Sequence, residues 1–125
     1  MRRRRYVAAL LAGALVLAPL PVLAHAFLVK SSPTRRATLS QPPSRVDLTF
    51  NERLEPAYSS VSVWSDASNI QVDLRDAAVV AAEPRRLSVS LPSLPSGTYT
   101  VRFRVLSIDG HVVESTFPFT IASRR

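Results

Sequence analysis

Apolar and polar residues alternate over most of the chain. Val46, Leu48 and Phe50 are spaced by two, as are Val61 and Val63, and then Ile70, Val72 and Leu74. Leu87, Val89 and Leu91 repeat the spacing, followed by Tyr99, Val101, Phe103 and Val105, and by Phe117, Phe119 and Ile121. A period of two places each set on one face of an extended strand. Asp47, Thr49, Ser62, Ser88, Arg102 and Arg104 fall between them, as in antiparallel sheets with one buried face. Turn-forming stretches separate the strands: Ser32-Pro33-Thr34, Gln41-Pro42-Pro43-Ser44, residues 65–69, Glu83-Pro84 and residues 92–97. With a further strand over residues 26–31, about seven strands are predicted at short spacing, the pattern of an all-β, seven-stranded Greek-key β-sandwich. Residues 77–82 carry no clear period and read equally as a short helical turn or a crossover between sheets.

The start of the chain breaks this pattern. Arg2 to Arg5 form a basic block, residues 7–24 carry no charge, and Val22 and Ala24 are small residues placed as at a leader-peptidase site. This is the layout of a secretory signal peptide cleaved after Ala24. An uncleaved anchor is the alternative, because 18 uncharged residues approach a membrane span; Gly13, Pro19 and Pro21 weaken it. Arg3-Arg4-Arg5 has a loose twin-arginine look. The expected organisation is a signal peptide at 1–24, one domain at 25–122 and a tail at 123–125, with a periplasmic or otherwise extracytoplasmic location. No later segment is long enough to cross a membrane.

Charge then changes meaning. The whole chain of 125 residues carries a formal +7, but residues 25–125 hold twelve basic and nine acidic residues. The basic excess is largely a targeting feature, and no interleaving of basic and aromatic residues marks a nucleic-acid surface. The absence of cysteine excludes disulfides, thiolate metal sites and a cysteine nucleophile. No phosphate loop, nucleophile elbow or zinc-protease helix motif is present. Trp64 is expected in the core or on a sheet surface, and Tyr58 and Tyr99 as packing residues with wet hydroxyls.

Candidate chemistry concentrates on the two histidines. Cleavage after Ala24 would give His25 a free α-amine beside its own imidazole, and amine plus ring Nδ1 close a chelate ring on a metal. Asp109 and His111 are separated by Gly110; if extended, their side chains point the same way, and the glycine leaves room for close approach. Three nitrogens and one carboxylate oxygen favour tetragonal Cu(II) or Ni(II), with Cu(II) the strongest binder. Zn(II) accepts the same donors but prefers a tetrahedron. A thioether Cu(I) site is excluded downstream of the leader, because the single methionine is Met1. An α-amine titrates near about 7.7–8.0, so affinity should fall as pH drops.

The segment His25-Ala26-Phe27-Leu28-Val29-Lys30-Ser31-Ser32-Pro33 resembles the mature start of the CopC-type copper-binding proteins. Val46-Asp47-Leu48-Thr49-Phe50-Asn51-Glu52 is similar to their second block. Gly97 to Val105, followed by Ser107-Ile108-Asp109-Gly110-His111, is similar to the third, and Phe117 to Ile121 to the closing strand. The resemblance implies an immunoglobulin-like (cupredoxin-like) sandwich and one Cu(II) per chain, held by His25, Asp109 and His111. It places Glu52 near that site as a weak or outer ligand. It also implies a periplasmic role in copper resistance or homeostasis, or in delivery to a CopD-type membrane copper transporter. The family's methionine-rich Cu(I) loop is missing, Phe103 stands where the third block usually has Trp, Ser115 replaces a common glycine, and Arg35-Arg36 replace small residues.

Two other classes fit parts of the sequence. An N-terminal His chelate with a second His also resembles the histidine brace of copper monooxygenases that oxidise polysaccharides. Against this stand the short chain and Asp109, which would occupy a position that oxygen chemistry needs open. A metal-free immunoglobulin-like interaction module explains the sandwich but leaves His25 and the Asp-Gly-His segment without a role. The expectation is a binding protein and not an enzyme.

Overall fold

A computed structural model of the chain describes residues 26–123 and, apart from them, Gly13. His25, the rest of the predicted leader and Arg124-Arg125 lie outside the described residues. Nine strands occur among the described residues: β1 (Leu28–Ser32), β2 (Thr38–Leu39), β3 (Arg45–Phe50), β4 (Ser60–Ser65), β5 (Ile70–Gln71), β6 (Ala78–Val80), β7 (Glu83–Ser90), β8 (Gly97–Leu106) and β9 (Val112–Ile121). Seven of these are longer than two residues; β2 and β5 are two-residue edge strands.

The strands form two sheets, one in the order β1-β3-β7-β6 and one in the order β2-β9-β8-β4-β5. All pairings are antiparallel except β2 with β9. The chain crosses repeatedly between the sheets, so every alternating segment contributes its apolar face to one shared interior.

That interior holds the residues the alternation selects. Val46, Leu48 and Phe50, Val61 and Val63, Leu87, Val89 and Leu91, Tyr99 to Val105 at every second position, and Phe117, Phe119 and Ile121 are all buried. Each fully buried large apolar side chain contributes about 1.5–3 kcal/mol. Phe50 of one sheet meets Phe103 of the other edge-to-face, with centroids 5.5 Å apart. Tyr99 stacks on Phe119 and donates its hydroxyl proton to the Pro95 carbonyl oxygen at 2.6 Å, as in the tyrosine corner of immunoglobulin-like sandwiches. Burial pushes the Tyr99 phenol above its ordinary pKa.

Three expectations are corrected. Ile70, Val72 and Leu74 do not form one inward-facing strand: β5 stops at Gln71, Ile70 and Leu74 are exposed, and Val72 alone packs, partly buried, against the core. The cause is Asp73, a buried carboxylate. Its Oδ2 accepts the Val63 N–H and its Oδ1 the Arg75 N–H, both at 2.8 Å, so a side chain takes the place of the next ladder carbonyl and turns the chain away. Residues 77–82 are neither a helix nor a crossover at their centre: Ala78–Val80 pairs with β7. Tyr58 is exposed and not packed. Trp64 lies half-buried on the outer face of the five-stranded sheet, its Nε1–H donated to Ser62 Oγ at 2.8 Å and the Arg102 guanidinium 4.4 Å from its ring centre. Among the described residues, no helix is long and apolar enough to cross a membrane.

Candidate metal centre

Three segments meet at one end of the sandwich. The first is Ala26-Phe27, which leads into β1; Ala26 is buried. The second is the stretch 51–54, which follows β3. The third is the turn 107–111 between β8 and β9. Phe27 and Asn51 exchange two hydrogen bonds: the Phe27 N–H donates to Asn51 Oδ1 at 2.7 Å, and the Asn51 N–H donates to the Phe27 carbonyl at 3.2 Å. On its other side the 51–54 stretch is tied to the turn. Leu54 forms an isolated antiparallel bridge with Ser107, and the Ile108 N–H donates to the Arg53 carbonyl at 3.1 Å. The 51–54 stretch is therefore a strap, with the N-terminal segment on one flank and the Asp109–His111 turn on the other.

The turn is closed by its own backbone. The Gly110 N–H donates to the Ser107 carbonyl at 2.9 Å, and the Ser107 N–H donates to the His111 carbonyl at 3.0 Å. The His111 N–H is 3.3 Å from Ser107 Oγ, its acceptor. Gly110 has φ +86°, a value that disfavours any residue with a Cβ. Asp109 and His111 therefore lie on a hairpin turn and not on an extended segment, so the i, i+2 rule of a strand does not set their directions. Ser107 is fully buried and anchors the turn to the end of β8.

The four residues singled out from sequence are placed as follows. Asp109 is exposed and His111 half-buried on the turn, and Glu52 is half-buried on the strap. Glu52 Oε2 is shut off from solvent and has no hydrogen-bond partner among the described residues, which is costly for a carboxylate unless a cation or donor meets it. His25 lies outside the described residues. Among the described residues, no three of His, Asp and Glu stand close enough to hold a metal ion, so Glu52, Asp109 and His111 do not form a metal group by themselves. The positioning residues Asn51 and Ser107 were not read from the sequence as such. An Asn directly after a strand, and a Ser closing an Asp-Gly turn, are the local signals that mark them.

Comparison with known proteins agrees with this architecture. The family model described as the CopC domain matches residues 28–122. The copper transport protein CutJ of Bacillus subtilis is 32% identical over 122 residues, covering 97% of this chain but 22% of CutJ; the chain thus spans about a fifth of that relative's length. Among solved structures, CopC from Methylosinus trichosporium OB3b has a TM-score of 0.74 and 40% identity, covering 81% of this chain and 97% of that one. PcoC from Escherichia coli, a methionine-rich copper resistance protein, has a TM-score of 0.66 and 28% identity, covering 79% of this chain and 100% of that one. Methionine richness is not shared, since Met1 is the single methionine here. With the family model covering most of the chain and its copper-named relatives aligned across the whole sandwich, the chain belongs to the CopC family and its function is copper-related.

Proposed function

We propose that the protein is an exported copper carrier that holds one Cu(II) between its N-terminus and the β8–β9 turn. His25, freed by cleavage after Ala24, supplies its α-amine and imidazole; Asp109 and His111 supply the remaining equatorial donors. Glu52 sits on the strap between them as an outer or weak ligand. The observation that carries this reading is the pair of ties on the strap, to Phe27 on one side and to Ile108 on the other. They hold the residue next to His25's neighbour and the residue next to Asp109 to one short stretch of chain. The donor set suits Cu(II), being nitrogen-rich with one carboxylate and no sulfur.

The role is binding and transfer, not turnover. Phe27, Ile108 and Val112 are large apolar side chains left exposed beside these residues. They favour hand-over to a protein surface such as a CopD-type membrane transporter. The test is a variant with one extra residue ahead of His25. It converts the chelating amine into an amide, and Cu(II) affinity should fall by orders of magnitude while the fold is kept. Unchanged affinity in that variant rejects the N-terminal chelate.

A further inference from the structure

The described residues hold ten basic and nine acidic side chains, and they are not mixed evenly. Lys30, Arg45, Arg53, Arg85 and Arg86 gather on and beside the outer face of the β1-β3-β7-β6 sheet, with two carboxylates, Asp47 and Glu83, among them. The rest of the described residues include five basic and seven acidic side chains. The sheet register builds this face. Thr49 pairs with Lys30 on one side and with Arg86 on the other, so the two cations flank one hydroxyl across three neighbouring strands.

A concavity of about 350 Å³ opens here, lined by Thr49, Arg53, Glu83, Pro84, Arg85 and Arg86. A smaller recess of about 110 Å³, lined by Lys30, Ser32, Asp47, Thr49 and Arg86, shares Thr49 and Arg86 with it. Each carboxylate is engaged through one oxygen, while Asp47 Oδ1 is buried with no hydrogen-bond partner among the described residues. Asp47 Oδ2 lies 2.8 Å from Arg45 Nε, and Glu83 Oε2 lies 3.0 Å from Arg86 Nε. Arg53 and Arg85 make no ion pair among the described residues. The groove thus presents two guanidinium groups without an ion pair among the described residues, the remaining donors of Arg86, an ammonium and a hydroxyl, against two carboxylates that each face an arginine through one oxygen.

We infer that this groove is a binding site for a multiply charged oxyanion of the phosphate class, read by the guanidinium forks of Arg53 and Arg85. Guanidinium groups match two oxygens of such an anion at once, which a lone ammonium does not. The site lies beside the metal turn without being part of it. Arg53 lends its side chain to the groove and its carbonyl to the Ile108 N–H. The inference does not depend on copper.

The experiment uses copper-free processed protein. Inorganic phosphate is titrated while the arginine Nε–Hε signals are followed by NMR, and capture by phosphatidylglycerol vesicles is compared with capture by phosphatidylcholine vesicles. The double variant Arg53→Gln, Arg85→Gln should weaken the response by about tenfold or more, since each lost contact is a charge-assisted bond. Arg75→Gln, an exposed arginine outside the groove, serves as the control and should leave the response unchanged. A saturable phosphate response lost in the double variant assigns the site to the free ion. Capture by phosphatidylglycerol lost in the double variant, without a saturable phosphate response, assigns it to a lipid headgroup. No response to either probe, or equal responses in the parent and the double variant, overturns the proposal.

Discussion

Removing the side chain of Asn51 tests whether the strap organises the N-terminus for copper. In Asn51→Ala the 2.7 Å bond from the Phe27 N–H is lost, while the bond from the Asn51 N–H to the Phe27 carbonyl is a backbone contact and survives. One net hydrogen bond in an exposed setting stabilises by about 0.5–1.5 kcal/mol. If that energy holds residues 26–27 against the strap, the metal-binding arrangement becomes less populated by the same amount. At about 1.4 kcal/mol per tenfold, Cu(II) affinity falls by about two- to twelvefold. Competition with a chromophoric chelator measures the affinity, and amide exchange at Phe27 reports whether the tether has opened. Asn51→Asp retains an oxygen acceptor and should restore slow exchange. Faster exchange at Phe27 with unaltered copper affinity would refute the reasoning, because the N-terminus would then bind without the strap.

Other outcomes follow from single positions. Gly110→Ala meets no clash, since nothing lies within 4 Å of the added Cβ, but φ +86° should cost about 1–2 kcal/mol and lower the Tm by several degrees. A Tm equal to the parent's would show that the turn relaxes freely. Tyr99→Phe removes the hydroxyl that donates to Pro95 and should cost about 0.5–1.5 kcal/mol at neutral pH. Because burial raises the Tyr99 pKa in the folded state, its contribution is complete below the unfolded phenol's pKa and is lost as pH climbs through and beyond it. The parent's urea midpoint should therefore fall at alkaline pH more steeply than that of Tyr99→Phe, and parallel curves would contradict the assignment.

The sequence was most legible where side chains alternate cleanly. Each expected inward position in 46–50, 61–63, 87–91, 99–105 and 117–121 is buried, because a sheet with one wet face enforces that period. It was least legible where one polar group overrides the pattern. Ile70, Val72 and Leu74 have the period of a strand, but Asp73 between them claims the Val63 N–H and ends the ladder. Residues 77–82 are Ala-Ala-Val-Val-Ala-Ala, with no polar position to mark a period, and only their pairing with β7 makes Ala78–Val80 a strand. Leu54 and Leu94 join the core as isolated apolar residues that no period announces.

The candidate site divides in the same way. Asp109 and His111 could be picked out by residue type and spacing, and Glu52 only through the family resemblance. That Glu52 lies on a strap tied to both flanks is a property of tertiary hydrogen bonds, and no local pattern encodes it. The basic groove was invisible for the same reason. Its cations stand at positions 30, 53, 85 and 86; strand register sets Lys30 and Arg86 on either side of Thr49, and the 51–54 strap adds Arg53.

The central claim is that the processed N-terminus and the β8–β9 turn hold one Cu(II) together. Its most direct test is electron paramagnetic resonance during Cu(II) titration of the protein beginning at His25, with the N-terminus verified by mass. The account predicts a tetragonal signal that saturates at one equivalent, shows nitrogen couplings and is lost in His111→Ala. A signal that never becomes stoichiometric, or one unchanged by His111→Ala, would contradict it.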